Sequence, residues 1–395
     1  MINCEFDRRS FLKWTGAGIV AAVTAPLTLD SLAQAASTTP LPARTPVLVL
    51  VTLYGGNDGL NTVVPFTDPV YKSVRSNIAL SSDQVLPISG SLAFNAAMPS
   101  IRALFAHKKV AIVQGVSYPN PNLSHFTSMA IWQTASLTGT TSGWIGRWLD
   151  RQPHSPFNAI GVGSTLPPAF VGDKTVASMV DVSGVQLPWG PVAAVLPRLG
   201  DASPSDVTLE AAAATSITDL FATAKRVGSH IPKSPSGSYI AQQLAVVASL
   251  INAGVPTRVW EVNLSSFDTH TGEVGDQNSL LGEVDAAIGA FMKSISAGPR
   301  SNDVTLMVYS EFGRRVGSNA SDGTDHGTSA PVFLIGNRVK GGLYGEQPSL
   351  KHLDENGNLR VTTDFRSVYG GLLHDVLATP VGDVIASWHS ALSVH

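Results

Sequence analysis

"VLVLVTLYGGNDG", Val47 to Gly59, sets seven apolar or β-branched residues in a row ahead of a break rich in glycine and asparagine. A run this short, with no polar alternation, reads as a strand buried on both faces. That is the habit of a strand inside a parallel sheet with helices over each side. Asp58 falls in the break, just beyond the strand's carboxyl end.

Working outward, the same pattern recurs. "VAIVQGV" (110–116), "TRVWEVNL" (257–264), "DVTLMVYS" (303–310) and "APVFLIG" (330–336) read as further strands. Between them, helices are expected over 94–105, from near Ser124, over 206–224, 239–253 and 278–296, and finally over 364–378. In the last of these Phe365, Val368, Leu372 and Val376 share one face. Strands alternating with helices predict an α/β fold, a mostly parallel central sheet with helices on both faces.

At 395 residues the chain has room for one large domain or two smaller ones. The reading adopted is a single domain over 47–395, with a helical insertion or cap around 167–254 where the strand pattern weakens. Hydrophobic residues at 44% against 14% charged argue for a globular body. A net charge of −3 with no basic stripe sets nucleic-acid binding aside.

Residues 1–35 are a separate object. Arg8 and Arg9, followed by Phe11, Leu12 and Lys13, a mildly apolar run and Ala33-Gln34-Ala35, resemble a twin-arginine export signal. The expectation is cleavage after Ala35, then a linker over 36–46, with the twin-arginine machinery as export partner and a periplasmic or secreted destination. Gly16, Gly18, Pro26 and Asp30 break the apolar run as a membrane span, so no stable span is expected after cleavage. Cleavage would also remove Cys4, the one cysteine, leaving neither a disulfide nor a thiolate metal ligand.

Ligands of open parallel sheets bind beyond the carboxyl ends of the strands, where loops and helix N-termini converge. The polar residues concentrate there. Asp58 follows the first strand, Ser124 and His125 follow 110–116, Asp268 and His270 follow 257–264 in "DTH", Glu311 follows 303–310, and Asp325 and His326 precede "APVFLIG". Taken singly, Asp58 is also a common turn residue, Ser124 an N-cap, and His125 a packing or capping residue of a helix's first turn. Taken together, carboxylates and imidazoles without sulfur point to one or two divalent metal ions, with zinc, magnesium, manganese and calcium undistinguished. Asp58, Asp268, His270, Glu311 and His326 are therefore expected within one cluster roughly 10 Å across. Trp132, Trp144 and Trp148 are read as helix-face packing rather than a sugar-binding groove.

"LVTLYGGNDGLNTVVPF", "LSHFTSMAIWQTA", "DTH", "SEFGRR" and "GTDHGTSAPVFLIG", in this order behind the export signal, resemble the secreted family catalogued as domain of unknown function 1501. That family is similar in organisation to the alkaline phosphatase and sulfatase superfamily. The resemblance implies a fold of that type and a set of roles. Asp58 would be the acidic ligand after the first strand and Ser124 the hydroxyl nucleophile at a helix start. Asp268, His270 and His326 would hold the first cation, and Glu311 would help hold a second. Arg314 or Arg315 would pair with the oxygens of a phosphate or sulfate ester, the substrate being a small-molecule or glycan ester. One expected ligand is missing because Phe312 follows Glu311, and Asp325 or His125 could stand in for it. The cysteine-based sulfatase maturation motif is absent. Two functions stay open: an exported metal-dependent ester hydrolase using a serine hydroxyl or a metal-bound water, and a non-catalytic envelope binding protein with one cation or none. A redox role lacks the dinucleotide fingerprint.

Overall fold

The computed structural model describes residues 39–153, 155–182 and 237–395. The export-signal segment and the helix expected over 206–224 lie outside them. Among the described residues no helix is long and apolar enough to cross a membrane.

Nine strands of the main sheet are numbered here in chain order: β1 (Val47–Leu53), β2 (Val110–Ser117), β3 (Ala159–Val162), β4 (Ser178–Val180), β5 (Val259–Leu264), β6 (Val304–Ser310), β7 (Ala330–Gly336), β8 (Gly342–Tyr344) and β9 (Thr363–Asp364). They lie in the order β8-β2-β7-β6-β1-β5-β3-β4, with β9 also on β2. β1 is parallel to both neighbours, in register Val49↔Trp260 and Val49↔Leu306. Among the described strands of this sheet β7 alone runs backwards, antiparallel to β2 and to β6. The sheet is thus mixed and mostly parallel, as the strand patterns predict.

Alternation along β1 explains why a continuous apolar run was needed. Val47, Val49, Val51 and Leu53 enter one core, while Leu48 and Leu50 enter the other on the opposite face. The first core is covered by α2 (Pro99–Ala106), α5 (Tyr239–Asn252) and α6 (Glu273–Ala297). The second is covered by α3 (His125–Thr134), α4 (Trp144–Leu149) and α7 (Phe365–Asp375). A further short helix, α1 (Pro69–Val74), packs beside the small antiparallel sheet of Val63–Val64, Val85–Pro87 and Ala93–Asn95. α6 turns Leu281, Val284, Ile288, Phe291, Met292 and Ile295 inward at helical spacing. Burial of this two-sided apolar surface is what orders the sheet.

Several boundaries differ from the sequence reading. Ala93–Asn95 pairs as a strand, and α2 begins only at Pro99, whose fixed φ and missing N–H suit the first helical position. α7 is capped by Asp364, which accepts from Arg366 N, and ends at Asp375 ahead of Pro380. The region around 167–254 was expected to be an insertion or cap. Its described ends belong to the main body, since β4 is an edge strand of the sheet and Ile240, Leu244, Val247 and Ile251 of α5 fill the first core. Trp132 stacks on Tyr309 and Phe365, and Trp144 on Tyr369, all five sealed in the second core.

Candidate metal centre

The reversal of β7 places the site. Loops leaving β1, β2, β5 and β6 emerge at one edge of the sheet, and an antiparallel strand begins at the edge where its neighbours end. The segment entering β7 therefore meets them, and His326, four residues before β7, arrives beside Asp268, two loops away in sequence.

Three imidazoles converge on one carboxylate oxygen. His125 Nε2, His270 Nε2 and His326 Nε2 stand 3.4, 3.0 and 3.1 Å from Asp268 Oδ1. His270 Nε2 and His326 Nε2 are themselves 3.0 Å apart. His125, Asp268 and His326 each offer one ligand atom within 4.8 Å of the other two. Tetrahedral bonds of about 2 Å put neighbouring ligand atoms about 3.3 Å apart, the spacing seen here.

The outer nitrogens are all taken. His125 Nδ1 donates to Glu311 Oε1 at 2.7 Å, His326 Nδ1 to the Leu123 carbonyl at 2.7 Å, and His270 Nδ1 to Asp325 Oδ1 at 3.2 Å. A carbonyl or carboxylate only accepts, so each Nδ1 carries a proton, and a ring in its neutral form turns an Nε2 lone pair inward. Lone pairs meeting at 3.0 Å repel unless a proton or cation lies between them. His125 Nε2 is a buried atom with no hydrogen-bond partner. Such an orphan, aimed at the cluster, fits a metal ligand, and the Glu311–His125 pair has the form of an outer carboxylate orienting a ligating imidazole. The solvent side is open, with the side chains of Asp268 and His270 exposed by 47% and 41%.

Local backbone structure locks these loops together. Gly313 N donates to Thr328 O, Gly327 N to Gly313 O and Arg315 N to Asp325 O, a short ladder that fixes Glu311 and His326 relative to each other. Gly55, at φ +118°, lies so close to the DTH loop that a Cβ would come within 2.5 Å of Asp268 N. Arg314 binds what remains. It is buried and donates to the carbonyls of Gly55, Gly56, Phe267 and Thr324 and to Asp268 Oδ1 at 2.7 Å.

Charge follows this geometry. Burial alone would raise the Asp268 carboxyl, but hydrogen bonds from Arg314 and His326 bring it down to about 2, so it is ionised across the physiological range. Burial disfavours a charged His125, yet the hydrogen bond and charge of Glu311 outweigh it and raise its pKa. His326 is shifted the other way, because burial outweighs the Leu123 carbonyl and Asp268.

The residues singled out from sequence divide into groups. Asp268, His270 and His326 come together. Glu311 reaches the cluster through His125, with its second oxygen taken by Ser310 Oγ at 2.9 Å and Gly55 N also on Oε1. Asp325 holds the outer nitrogen of His270 and is not among the converging ligand atoms. Ser124 is the exposed N-cap of α3, its hydroxyl making no capping hydrogen bond, and both its neighbours touch the cluster. Arg314 was expected to meet an ester's oxygens, but its donors are occupied by the protein. Arg315 donates to Asn356 O. Asp58 is not among the converging ligand atoms: its side chain is fully buried and bidentate on Arg75. Of the two stand-ins for the missing ligand, His125 joins the cluster. Its signal is a histidine that opens the helix following a strand. Arg75 carried no sequence signal, being 17 residues from Asp58 and outside any motif.

Residues 196–368 match the family described as Protein of unknown function. The match is to DUF1501. The DUF1501 span takes in Asp268, His270, Glu311, Asp325 and His326, while Asp58, Ser124 and His125 precede it. No curated protein matches the chain. Among solved structures, it is similar to a protein in the alkaline phosphatase superfamily from Vibrio parahaemolyticus, at TM-score 0.41 and 11% identity over 94% of this chain and 76% of that one. It is similar to the murine ectonucleotide pyrophosphatase/phosphodiesterase 5, at 0.40 and 9% over 84% and 95%. A third is the Streptococcus pyogenes phosphoglycerol transferase GacH in complex with sn-glycerol-1-phosphate, at 0.37 and 9% over 89% and 79%. At these distances the chemistry of the site rests on its own residues.

Proposed function

We propose that the chain is an exported metal-dependent hydrolase of a phosphate or sulfate ester, with a divalent cation held by His125, Asp268 and His326 and His270 at its edge. The observation that carries the reading is the convergence of three Nε2 atoms on Asp268 Oδ1 while every Nδ1 is held by an outer acceptor. Three nitrogens to one oxygen suit a borderline cation such as zinc better than magnesium or calcium, which take oxygen shells. Bound there, the cation would supply positive charge to an ester oxygen and favour deprotonation of a water or hydroxyl.

The chain's own groups supply the rest. Glu311, Asp325 and the Leu123 carbonyl keep the three rings turned inward. Ser124, exposed at the N-terminus of a ten-residue helix, places a hydroxyl beside His125, where the helix dipole favours an anion. A water attacking in its place would need only the open side of Asp268 and His270. The substrate class, a small-molecule or glycan ester, and export through the twin-arginine route rest on the sequence resemblance.

A non-catalytic envelope protein with one cation is the second reading, favoured by the burial of Asp58 and the occupied donors of Arg314, which leave few free groups for catalysis. Elemental analysis of the purified chain beside Asp268→Ala/His326→Ala, with a panel of phosphate and sulfate esters, tests both. The hydrolase reading expects bound metal and ester turnover that vanish together in the double variant. Metal without turnover across the panel leaves the binding protein, and a folded chain that retains no metal defeats the cluster reading.

A further inference from the structure

Asp58 stands where the family resemblance expects a cation ligand, and the structure gives it another partner. Arg75 Nη1 and Nη2 meet its two oxygens at 2.5 and 3.0 Å, and neither side chain has any exposure. The same guanidinium donates to the carbonyls of Val316 and Arg315, at 2.8 and 2.6 Å, so it is fixed to the loop that carries Glu311 and His326. Leu60 N adds a donor to Asp58 Oδ1. Glu273 completes the group, accepting from Thr324 Oγ1 and from Asn61 Nδ2.

The charges here already balance. Glu273 is pushed up to about 9, by burial first and then by the charge of and hydrogen bond to Asp58, so it is neutral near pH 7. Burial opposes ionisation of Asp58, but Arg75 prevails and its pKa is lowered. One anion, one cation and one neutral acid sum to zero. A divalent cation added at Asp58 would bring two uncompensated charges into a sealed volume. Glu311, the other carboxylate expected at a second cation, has both oxygens engaged by Gly55, His125 and Ser310. The residues present do not fit a second metal.

We infer that this chain holds one divalent cation, not two, and that the Arg75 guanidinium supplies at Asp58 the positive charge a second cation would bring. The inference rests on the reading of the His125–Asp268–His326 cluster as a cation site. It separates this protein from two-cation ester hydrolases: no second cation clamps the reacting group, and the brace between the Asp58 loop and the His326 loop persists when metal is stripped.

The test is the metal content of the full chain, loaded with excess zinc and desalted, read by elemental analysis with circular dichroism as a fold control. One equivalent is expected in the native protein and one in Asp58→Asn. Two equivalents, falling to one in Asp58→Asn, would overturn the inference while leaving the cluster reading intact. No retained zinc in a folded native chain would overturn the cluster reading itself. Should Asp58→Asn fail to fold, Asp58→Asn/Arg75→Met removes both charges together. It is expected to fold and hold one equivalent, and a folded double variant retaining less than the native chain would count against the inference.

Discussion

Two charged groups sit at the same end of this sheet and differ in one respect. Around Asp268 the partners are three imidazoles whose Nε2 atoms converge on one of its oxygens near the surface. Around Asp58 the partner is a guanidinium that cannot leave, in a volume closed to water. A carboxylate's role is set by who supplies its counter-charge. The protein supplies it at Asp58, and only part of it, through Arg314, at Asp268. The Asp58 group is architecture, and the Asp268 group is open to a ligand.

Variants can break this contrast at graded cost. Arg75→Met should be the most damaging, leaving a buried carboxylate unpaired at a cost of about 3–5 kcal/mol. Asp58→Asn/Arg75→Met should recover most of that loss, and urea denaturation of the four members of the cycle measures the coupling. Glu311→Gln acts on the other group. It keeps the shape but weakens the acceptor that orients His125, and zinc affinity by competition with a chelator should fall about 10–100-fold with the fold unchanged. Asp325→Asn does the same for His270 from an exposed position, and a loss below about tenfold is expected, diminishing with salt.

A third carboxyl serves as an internal control. Glu261, in the centre of β5, is buried like Asp58 but has no guanidinium: Asn263 Nδ2 reaches Oε1 at 3.2 Å, and Oε2 has no hydrogen-bond partner. Burial pushes its pKa up to about 8, against an ordinary 4.5. The folded state therefore keeps a proton that the unfolded state releases. Its contribution to stability is complete below about pH 4.5 and is lost as pH rises through about 8. Glu261→Gln should remove this fall between about pH 4.5 and 8, seen as a flatter thermal midpoint against pH. An unchanged slope would mean that Glu261 is ionised in the folded protein and the contrast with Asp58 is false.

Much of this was legible in the sequence because burial on both faces leaves a mark no other environment leaves. Val47–Leu53 and Val304–Ser310 are mostly apolar and buried at every position, and each polar residue after them is conspicuous against that background. The histidines of the "DTH" and "TDH" loops stood out for that reason. Helix limits were less legible, since Pro99 and Pro380 punctuate the chain more finely than apolar periodicity shows. His125 is weakly marked in the sequence, because a histidine in a helix's first turn has several ordinary uses. Asp58 shows the reciprocal limit: its position after a strand points to a ligand, and nothing nearby in sequence announces Arg75.

What the sequence by itself determined is the layered α/β body and the edge at which its polar loops gather, because strand and helix periodicity and chain direction are local properties. Only the tertiary structure decided which of those loops meet. The reversal of β7 brought His326 to Asp268, the Glu311 carboxylate chose the outward nitrogen of His125, and Arg75 crossed from the end of a short helix to close off Asp58. Those are pairings between residues 17 to 186 positions apart, made by geometry and charge balance in a shared volume, and no local pattern encodes them.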